Sequence, residues 1–429
     1  MFSCFNNFSV EYCYNCMHGP EGCMVPSRSG AEGGDLNAHH EELEAKLRGL
    51  AEKESMEIDN YLAHEKKAFG QNIKILILGG PSSGKSTIFK QMQIIHSNGF
   101  KTEQELIQYR GLIDTNIRDS YLQLIAGART IGVSLEALDH FMFDINDVYA
   151  PMSNEFSIRT VPDLVEPMTA FWNSAHVQEV YNRRYEFELM DSTKYYLENL
   201  DRISKADYLP NEEDIVHSRK ATVSINSIVF QYTGVSLLMI DVGGQRSERK
   251  KWLHLFDDAR VILFVIDLTG YAKKSEESRQ ELTRFPIFFR DIGQDAFDMK
   301  VALKIFNDVS GSSALANAVF LLFFNKVDLF KELLPQVRLQ SCFSKFAEEN
   351  DYENTSKFIR DKFIRAAKHR KSVFPHFTTA TNTENVKCLQ GKLESDGPVM
   401  TMTVPQNQLE TFWEVEIGSD DGNNSLFIF

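Results

Sequence analysis

Short, continuous apolar runs punctuate the chain, and their length is typical of buried strands rather than of core helices. These runs cover residues 73–78, 222–230, 236–240, 261–266, 318–324 and 376–379. Helical patterns separate the later runs, and strands that alternate with helices favour a parallel sheet with crossover connections. The pattern therefore predicts an α/β domain whose mostly parallel sheet is flanked by helices.

The segment between residues 101 and 210 has a helical period instead. Apolar side chains recur at three- and four-residue steps, as in Ile113, Ile117, Tyr121 and Leu124, and this spacing places them on one face of a helix. We interpret residues 101–210 as an all-helical domain inserted into the α/β domain. That domain is thereby divided into residues 70–100 and 211–388.

The two ends of the chain have different compositions. Residues 1–39 mix aromatic residues, Cys, Gly and Pro without a period, which predicts a disordered leader. Residues 40–69 carry a narrow apolar stripe that includes Leu43, Leu47 and Leu50, so we expect an amphipathic helix that meets a partner. Two glycines and Pro398 interrupt any helix near residue 390, and residues 389–429 form an atypical C-terminal tail.

Charge and cysteine content narrow the function classes. The formal net charge of -14 argues against binding to nucleic acid. No apolar run approaches the ~20 residues of a membrane helix, so a membrane contact has to come from lipidation or from a partner. Four of the six cysteines lie at Cys4, Cys13, Cys16 and Cys23. Cys13 and Cys16 have the spacing of a zinc-ligand pair, but no second Cys/His pair follows at a suitable spacing. These thiols are instead candidates for acylation.

The first chemical motif follows the first apolar run. Gly79, four intervening residues and then Gly84-Lys-Ser86 match the phosphate-binding loop pattern in full. In such a loop, backbone N–H groups at a helix start surround a polyphosphate, the lysine reaches the terminal phosphates and the serine hydroxyl ligates Mg²⁺. The predicted phosphate-binding residues here are Gly79, Gly80, Ser82, Ser83, Gly84, Lys85, Ser86 and Thr87.

Two further motifs follow later strands. Asp241-Val-Gly-Gly-Gln245 ends a strand beside the phosphate loop, where Asp241 supports a phosphate-bound Mg²⁺, Gly243 and Gly244 approach a γ-phosphate and Gln245 orients water. In Asn325-Lys-Val-Asp328, the carboxylate of Asp328 suits the N1–H and amine of guanine. Asn325 faces the opposite edge of the base, the Lys326 stem covers its face, and the Ala380 amide is placed to contact the guanine carbonyl.

These motifs together resemble the alpha subunits of heterotrimeric G proteins. The run Asp241-Val-Gly-Gly-Gln-Arg-Ser-Glu-Arg-Lys-Lys-Trp252 is similar to the second switch of that family almost residue for residue. Further similar runs are Lys85-Ser-Thr-Ile-Phe-Lys-Gln-Met92, Asp191-Ser-Thr-Lys-Tyr-Tyr-Leu197 and Phe377-Thr-Thr-Ala-Thr381. The resemblance covers residues 40 to 387 and implies a Ras-like P-loop GTPase domain with an inserted all-helical domain.

The resemblance also implies a GTPase that switches between GDP and GTP and relays a signal from a membrane receptor to effectors. Its implied catalytic residues are Arg219, an arginine finger supplied in cis, and Gln245. Ser86 and Thr222 would hold the Mg²⁺ cofactor. The implied guanine- and ribose-binding residues are Asp191, Ser192, Val216, His217, Ser218, Asn325, Lys326, Asp328 and Ala380.

The implied partners are a G protein βγ dimer, a G protein-coupled receptor, GTPase-activating regulators and effectors. The βγ dimer is expected to meet the N-terminal helix and residues 246–252. Met1-Phe2 lacks the glycine that N-myristoylation requires, which leaves acylation of the N-terminal cysteines. We expect peripheral association with the cytoplasmic face of the plasma membrane.

Two residues of the phosphate loop depart from the family pattern. Pro81 replaces a glycine and removes one backbone N–H, and Ser82 replaces an acidic residue that pairs with the arginine of switch one. We therefore predict intact nucleotide binding with altered hydrolysis. An interaction module with little or no hydrolysis is the alternative function, and a phosphate-loop kinase or ATPase is a third that does not account for residues 325–328.

Overall fold

The computed structural model describes residues 72–97, 99–134, 156–232, 235–275, 296–367, 373–391, 402–403 and 425–426. The elements of these ranges belong to one unit, Phe69–Phe429. The predicted leader, the predicted helix over residues 40–69 and most of the predicted tail lie outside the described residues.

Six strands form the main sheet in the order β2-β3-β1-β4-β5-β6. They are β1 Ile73–Gly79, β2 Asn226–Tyr232, β3 Val235–Asp241, β4 Ala259–Asp267, β5 Val319–Asn325 and β6 Val373–Phe377. Five of the strands run parallel, and β2 pairs antiparallel with β3. A separate antiparallel pair joins β7 Met402–Thr403 to β8 Ser425–Leu426.

Helices make up most of the remaining described structure. They are α1 Lys85–His96, α2 Glu103–Ile131, α3 Val165–Asn173, α4 Ala175–Asn182, α5 Thr193–Glu198, α6 Leu200–Ile203, α7 Glu212–His217, α8 Asp298–Ser310, α9 Val327–Leu333, α10 Tyr352–Ala366 and α11 Thr383–Gly391. Single 3₁₀ turns occur at Ile158–Thr160, Pro162–Leu164, Arg184–Glu186, Glu248–Lys251, Leu253–Leu255, Leu268–Tyr271, Ser313–Leu315 and Leu339–Ser341. Within the described ranges, no helix combines the length and apolarity needed to cross a membrane.

Both faces of the sheet are covered, because side chains on successive strand residues point in opposite directions. On one face, Phe306 of α8 packs against Phe264, Phe320 and Phe363 at ring-centroid distances of 5.1, 6.0 and 5.7 Å. On the other face, α1 and α11 cover the inner residues of β1, β4 and β5. The central strands are thus buried on both sides, which explains their continuous apolar runs.

The helical block has a hydrophobic core of its own, separate from the clusters on the two sheet faces. Its longest helix, α2, begins with a capping box between Thr102 and Glu105 and ends at Gly132 in the left-handed conformation. Ile113, Ile117 and Tyr121 of α2 are buried in this core. No strand lies between α1 and β2 in the described residues.

The predicted fold class is confirmed, whereas the proposed domain boundaries stay predictions. Two strand predictions were wrong at their ends. Thr222 precedes β2, because its side chain bonds Ser86 of α1 instead of joining the sheet edge. The last strand of the main sheet, β6, begins at Val373 rather than at His376. It includes Pro375, which an edge strand tolerates because one side of the strand forms no ladder bonds.

Candidate nucleotide site

The predicted site residues converge at the carboxyl ends of the parallel strands, where open α/β sheets bind their ligands. They line a cavity of about 1450 Å³, together with residues of α2 and of the segment between α7 and β2. Gly79, Gly80 and Gly243 are the predicted residues that do not line it; all the others do. The structure therefore brings the phosphate, guanine, ribose and metal predictions into one cavity.

The phosphate loop connects β1 to α1 by a turn that requires glycine. Gly84 precedes α1 with a φ of 98°, a left-handed conformation that residues with a Cβ rarely adopt. A Cβ on Gly84 would lie 2.2 Å from Nδ2 of Asn325. The loop therefore lines the cavity at the N-terminus of α1, where an anion is favoured.

The ammonium of Lys85 is buried between two backbone segments. Its Nζ donates to the carbonyl oxygen of Gly80 at 2.5 Å, and the Ser83 hydroxyl donates to the same oxygen at 3.0 Å. On the opposite side, a Cβ on Gly244 would lie 2.3 Å from Lys85 Nζ. Lys85 thus lies between the phosphate loop and the segment after β3. A terminal phosphate bound between these two segments would contact its ammonium.

Three oxygen-bearing side chains meet beside Lys85. Ser86 Oγ lies 2.8 Å from Thr222 Oγ1 and donates to Asp241 Oδ2 at 2.7 Å. Burial raises the pKa of Asp241, while the Ser86 bond acts in the opposite direction. Asp241 Oδ1 is buried and has no hydrogen-bond partner within the described part of the chain. The cluster therefore presents a buried carboxylate oxygen that is left unsatisfied.

Asn325 ties the phosphate loop to the guanine end of the cavity. Its Nδ2 donates to the Ser83 carbonyl at 2.9 Å, and its Oδ1 accepts from the Ala380 amide at 2.9 Å and from Thr378 Oγ1 at 3.2 Å. In this structure, the Ala380 amide predicted to contact guanine bonds to Asn325. Asn325 therefore braces three segments of the site against one another.

The buried Lys326 is the centre of an ionic cluster that links the helical block to the sheet. Its Nζ lies 2.6 Å from Asp191 Oδ2 and 2.5 Å from Asp267 Oδ2, and Lys273 also reaches Asp191, at 3.2 Å. Burial alone would lower the pKa of Lys326, but the two carboxylates raise it above its usual value. Burial likewise opposes ionisation of Asp191, whose pKa Lys273 and Lys326 nevertheless lower. Lys326 and Asp191 therefore form a charged pair.

Asp328 and Asp267 play different parts at this end of the site. Burial raises the pKa of Asp328, and no ion pair to its carboxyl occurs among the residues that the structure describes. Asp267 was missed by the sequence reasoning, although it ends the β4 strand at the same sheet edge. The rule that predicted Asp241 also applies to Asp267.

A model of the family described as G-protein alpha subunit matches residues 52–394. The chain belongs to this family. It is 82% identical over 388 residues to the guanine nucleotide-binding protein alpha-14 subunit of Caenorhabditis briggsae, which covers 90% of this chain and 95% of the relative. The alpha-14 subunit of Caenorhabditis elegans is 74% identical over 386 residues, covering 90% and 94% respectively.

A more distant relative is the guanine nucleotide-binding protein subunit alpha of Cryptococcus neoformans var. neoformans serotype D. It is 36% identical over 339 residues, covering 78% of this chain and 73% of the relative. The protein is therefore an alpha subunit that binds guanine nucleotides, transduces signals and hydrolyses GTP. The reading as an interaction module without hydrolysis is not favoured.

Arg219 of this alpha subunit lies over the phosphate loop. Its Nη2 donates to Ser82 Oγ at 2.7 Å, and Ser82 itself has a φ of 55°. The serine that replaces the acidic residue of the family thus still bonds the guanidinium, through a neutral hydroxyl. Arg219 is therefore held beside the phosphate loop by a hydrogen bond, where an acidic residue would form an ion pair.

The second switch of the alpha subunit is fixed through its backbone. Arg249 Nε donates to the Gly244 carbonyl and Trp252 Nε1 to the Gly243 carbonyl, each at 3.0 Å. The side chain of Gln245 is exposed at the mouth of the cavity. Gln245 therefore follows a backbone segment that is held by two side-chain hydrogen bonds, and it lines the cavity.

Three of the predicted guanine- and ribose-binding residues, Val216, His217 and Ser218, lie at the end of α7. The imidazole of His217 stacks on Tyr195 at a centroid distance of 3.9 Å, and burial lowers the pKa of His217 to about 4. Asp214 anchors this segment by accepting bonds from Arg202, Tyr195 and Tyr208. Sequence reasoning missed Asp214, although the spacing from Asn211 is that of the capping box that the two residues form.

A further ion pair crosses between the helical block and the sheet domain. Arg184 Nη2 lies 2.8 Å from Glu332 Oε2 of α9, and the guanidinium stacks over the Tyr181 ring at 4.4 Å. We expect Arg184→Ala to speed GDP dissociation roughly two- to fivefold, because exposed ion pairs contribute at most about 1 kcal/mol. Release of a fluorescent GDP analogue measures this rate.

The neighbouring arginine provides the control for this prediction. Arg183 pairs with Glu186 at 2.7 Å within its own turn and does not reach the sheet domain through that pair. Arg183→Ala is expected to leave GDP dissociation unchanged, and the exchanged pair Arg184→Glu with Glu332→Arg is expected to restore the slow rate. Equal rates for Arg183→Ala and Arg184→Ala would contradict a bridging role.

Proposed function

We propose that this alpha subunit binds GTP together with Mg²⁺, and that the hydroxyls of Ser86 and Thr222 hold the ion. The observation that carries the proposal is the meeting of these hydroxyls with the unsatisfied, buried Asp241 Oδ1. Hydroxyl and carboxylate oxygens are the donors that Mg²⁺ prefers. When bound, the ion neutralises charge on the β- and γ-phosphates.

The hydrolysis chemistry follows from the residues around this cluster. Lys85 provides a buried ammonium for the terminal phosphates. Arg219 exchanges its bond to Ser82 for the oxygens between the β- and γ-phosphates, where negative charge develops. Gln245 orients the attacking water from the fixed second switch. The altered hydrolysis predicted for Pro81 and Ser82 stays a prediction.

The metal proposal makes a direct prediction for Thr222. We expect Thr222→Ala to raise the Mg²⁺ concentration needed to slow GTP-analogue dissociation by about tenfold or more, since changes close to a metal cost about 10- to 100-fold in affinity. The measurement is the dissociation rate of a labelled, non-hydrolysable GTP analogue across a Mg²⁺ titration.

Ser224→Ala is the matched control, because Ser224 is exposed in the same segment and bonds only Asn226 among the contacts resolved for its hydroxyl. Its Mg²⁺ dependence should equal that of the unmodified protein. The assignment fails if Thr222→Ala and Ser224→Ala have the same Mg²⁺ midpoint.

Membership of the family implies βγ dimers, receptors and effectors as partners in general. For this chain we propose that the βγ dimer contacts residues 40–69, for which the sequence predicts a helix, and residues 246–252, and that regulators act at the switches. Exposed apolar side chains at Val223, Ile225, Val229 and Leu253 support a protein contact here. Co-purification of βγ with the full chain, compared with Leu253→Glu, tests this contact.

We also propose that the protein associates peripherally with the cytoplasmic face of the plasma membrane. The support is the family membership together with the four N-terminal cysteines, which are candidates for acylation. Fractionation of cells that express the full chain tests the location.

A further inference from the structure

The backbone of Arg219 is fixed by a residue of the helical block. Asn116 Oδ1 accepts from the Arg219 N–H at 2.7 Å, and Asn116 Nδ2 donates to the Arg219 carbonyl at 2.8 Å. The side-chain amide thus bonds both polar groups of one residue, as a neighbouring strand would. Asn116 lies near the middle of α2 and is only 2% exposed.

The residue before Arg219 is fixed from the opposite side of the cavity. Lys90 of α1 donates from Nζ to the Ile215 carbonyl at 2.9 Å, to the Ser218 carbonyl at 2.6 Å and to Ser218 Oγ at 2.8 Å. These acceptors lie at the C-terminus of α7, where the helix dipole favours a cation. Helix α1 begins at the phosphate loop. The bonds from Lys90 therefore hold Ser218 at a fixed distance from that loop.

These contacts address a specific problem of the segment. Residues 218–225 form no helix or strand, so their own backbone pairing does not fix Arg219. A buried amide in a helix interior is costly unless it is fully hydrogen-bonded. Asn116 meets that condition by bonding Arg219, and this bond contributes nothing to the apolar core of the helical block.

We propose that Asn116 is a positioning residue for GTP hydrolysis, which fixes the Arg219 backbone so that the guanidinium meets the phosphates, while Lys90 braces the preceding residue. The proposal rests on the catalytic role proposed above for Arg219. Asn116 acts through the arginine, and its effect should disappear when the arginine is absent.

A double-mutant cycle tests this dependence. Single-turnover phosphate release from GTP-loaded full-length protein is measured for Asn116→Ala, Arg219→Ala and the double variant. We expect Asn116→Ala to slow hydrolysis by about tenfold or more, because a displacement of about 1 Å in a catalytic group costs on the order of 100-fold. In the Arg219→Ala background, the same change should have no further effect.

Ser120→Ala is the matched control on the same helix, one turn further along. Ser120 is as buried as Asn116 but bonds Thr193 inside the helical block at 3.0 Å. Its hydrolysis rate is expected to stay within about twofold of the unmodified protein, a change of about 0.4 kcal/mol. A Ser120→Ala rate as low as that of Asn116→Ala would overturn the proposal, since any damage to α2 would then suffice.

The outcomes separate this proposal from the one on which it rests. An Arg219→Ala variant with an unchanged rate contradicts the catalytic role of the arginine itself. If Arg219→Ala is slow and Asn116→Ala slows both backgrounds equally, the arginine is catalytic and the positioning role is wrong. Thermal unfolding of each variant identifies a misfolded protein.

Discussion

Arg219→Ala is expected to slow single-turnover hydrolysis of bound GTP by on the order of 1000-fold, the lower end of the range known for arginine fingers in this family and in activating proteins. The guanidinium is the cation that the structure holds over the phosphate loop, through Ser82. Gln245→Leu should cause a comparable loss, because the water then lacks its orienting amide. Phosphate release from preloaded protein after addition of Mg²⁺ measures both.

Nucleotide affinity is the internal control for these two variants. Arg219 bonds the phosphate loop through the Ser82 hydroxyl, and the side chain of Gln245 is exposed. The affinity for a non-hydrolysable GTP analogue should therefore change by less than about tenfold, or 1.4 kcal/mol. Lys220→Ala changes the exposed residue next to Arg219 and should hydrolyse GTP at the parental rate. Retention of the parental rate by Arg219→Ala would exclude an arginine supplied in cis.

Lys85→Met is expected to weaken GDP binding by at least about 100-fold. The ammonium is buried beside the phosphate loop, and each charge-assisted hydrogen bond that it makes is worth about 1.5–3 kcal/mol. Two such bonds to phosphate oxygens account for the expected loss. The measurement is the equilibrium dissociation constant for a fluorescent GDP analogue.

Methionine fits the space of the lysine, so the unliganded protein should keep its fold, which circular dichroism checks. Lys101→Met serves as the control, since Lys101 is exposed and lies outside the cavity. A Lys85→Met protein that folds and binds GDP as tightly as Lys101→Met would show that the loop does not bind phosphate through its lysine.

The sheet and the strand-end motifs could be predicted from sequence for the same physical reason. Strands buried on both faces produce continuous apolar runs, and the polar residues after such strands share one edge of the sheet. Asp241, Asn325 and Asp328 were found by this rule, and Asp267 could have been.

Other residues of the site could not be found in this way. Asn116 and Lys90 bond the Arg219 segment across more than 100 positions of the chain. A helical period predicts which face of α2 is apolar, but not which loop passes over a polar residue of that helix. The bond between Ser82 and Arg219 was likewise invisible, because the sequence showed only the loss of a carboxylate.

Helix α2 has 29 residues and is capped at Thr102, close to α1 and the cavity. At 1.5 Å per residue, Asn116 lies about 21 Å along the helix from Thr102. A rotation of α2 by only about 5° around its capped end would carry Asn116 sideways by about 1.8 Å, enough to break both bonds to Arg219. Such a rotation would release the Arg219 backbone, so the position of the arginine depends on the angle at which α2 packs against the sheet domain.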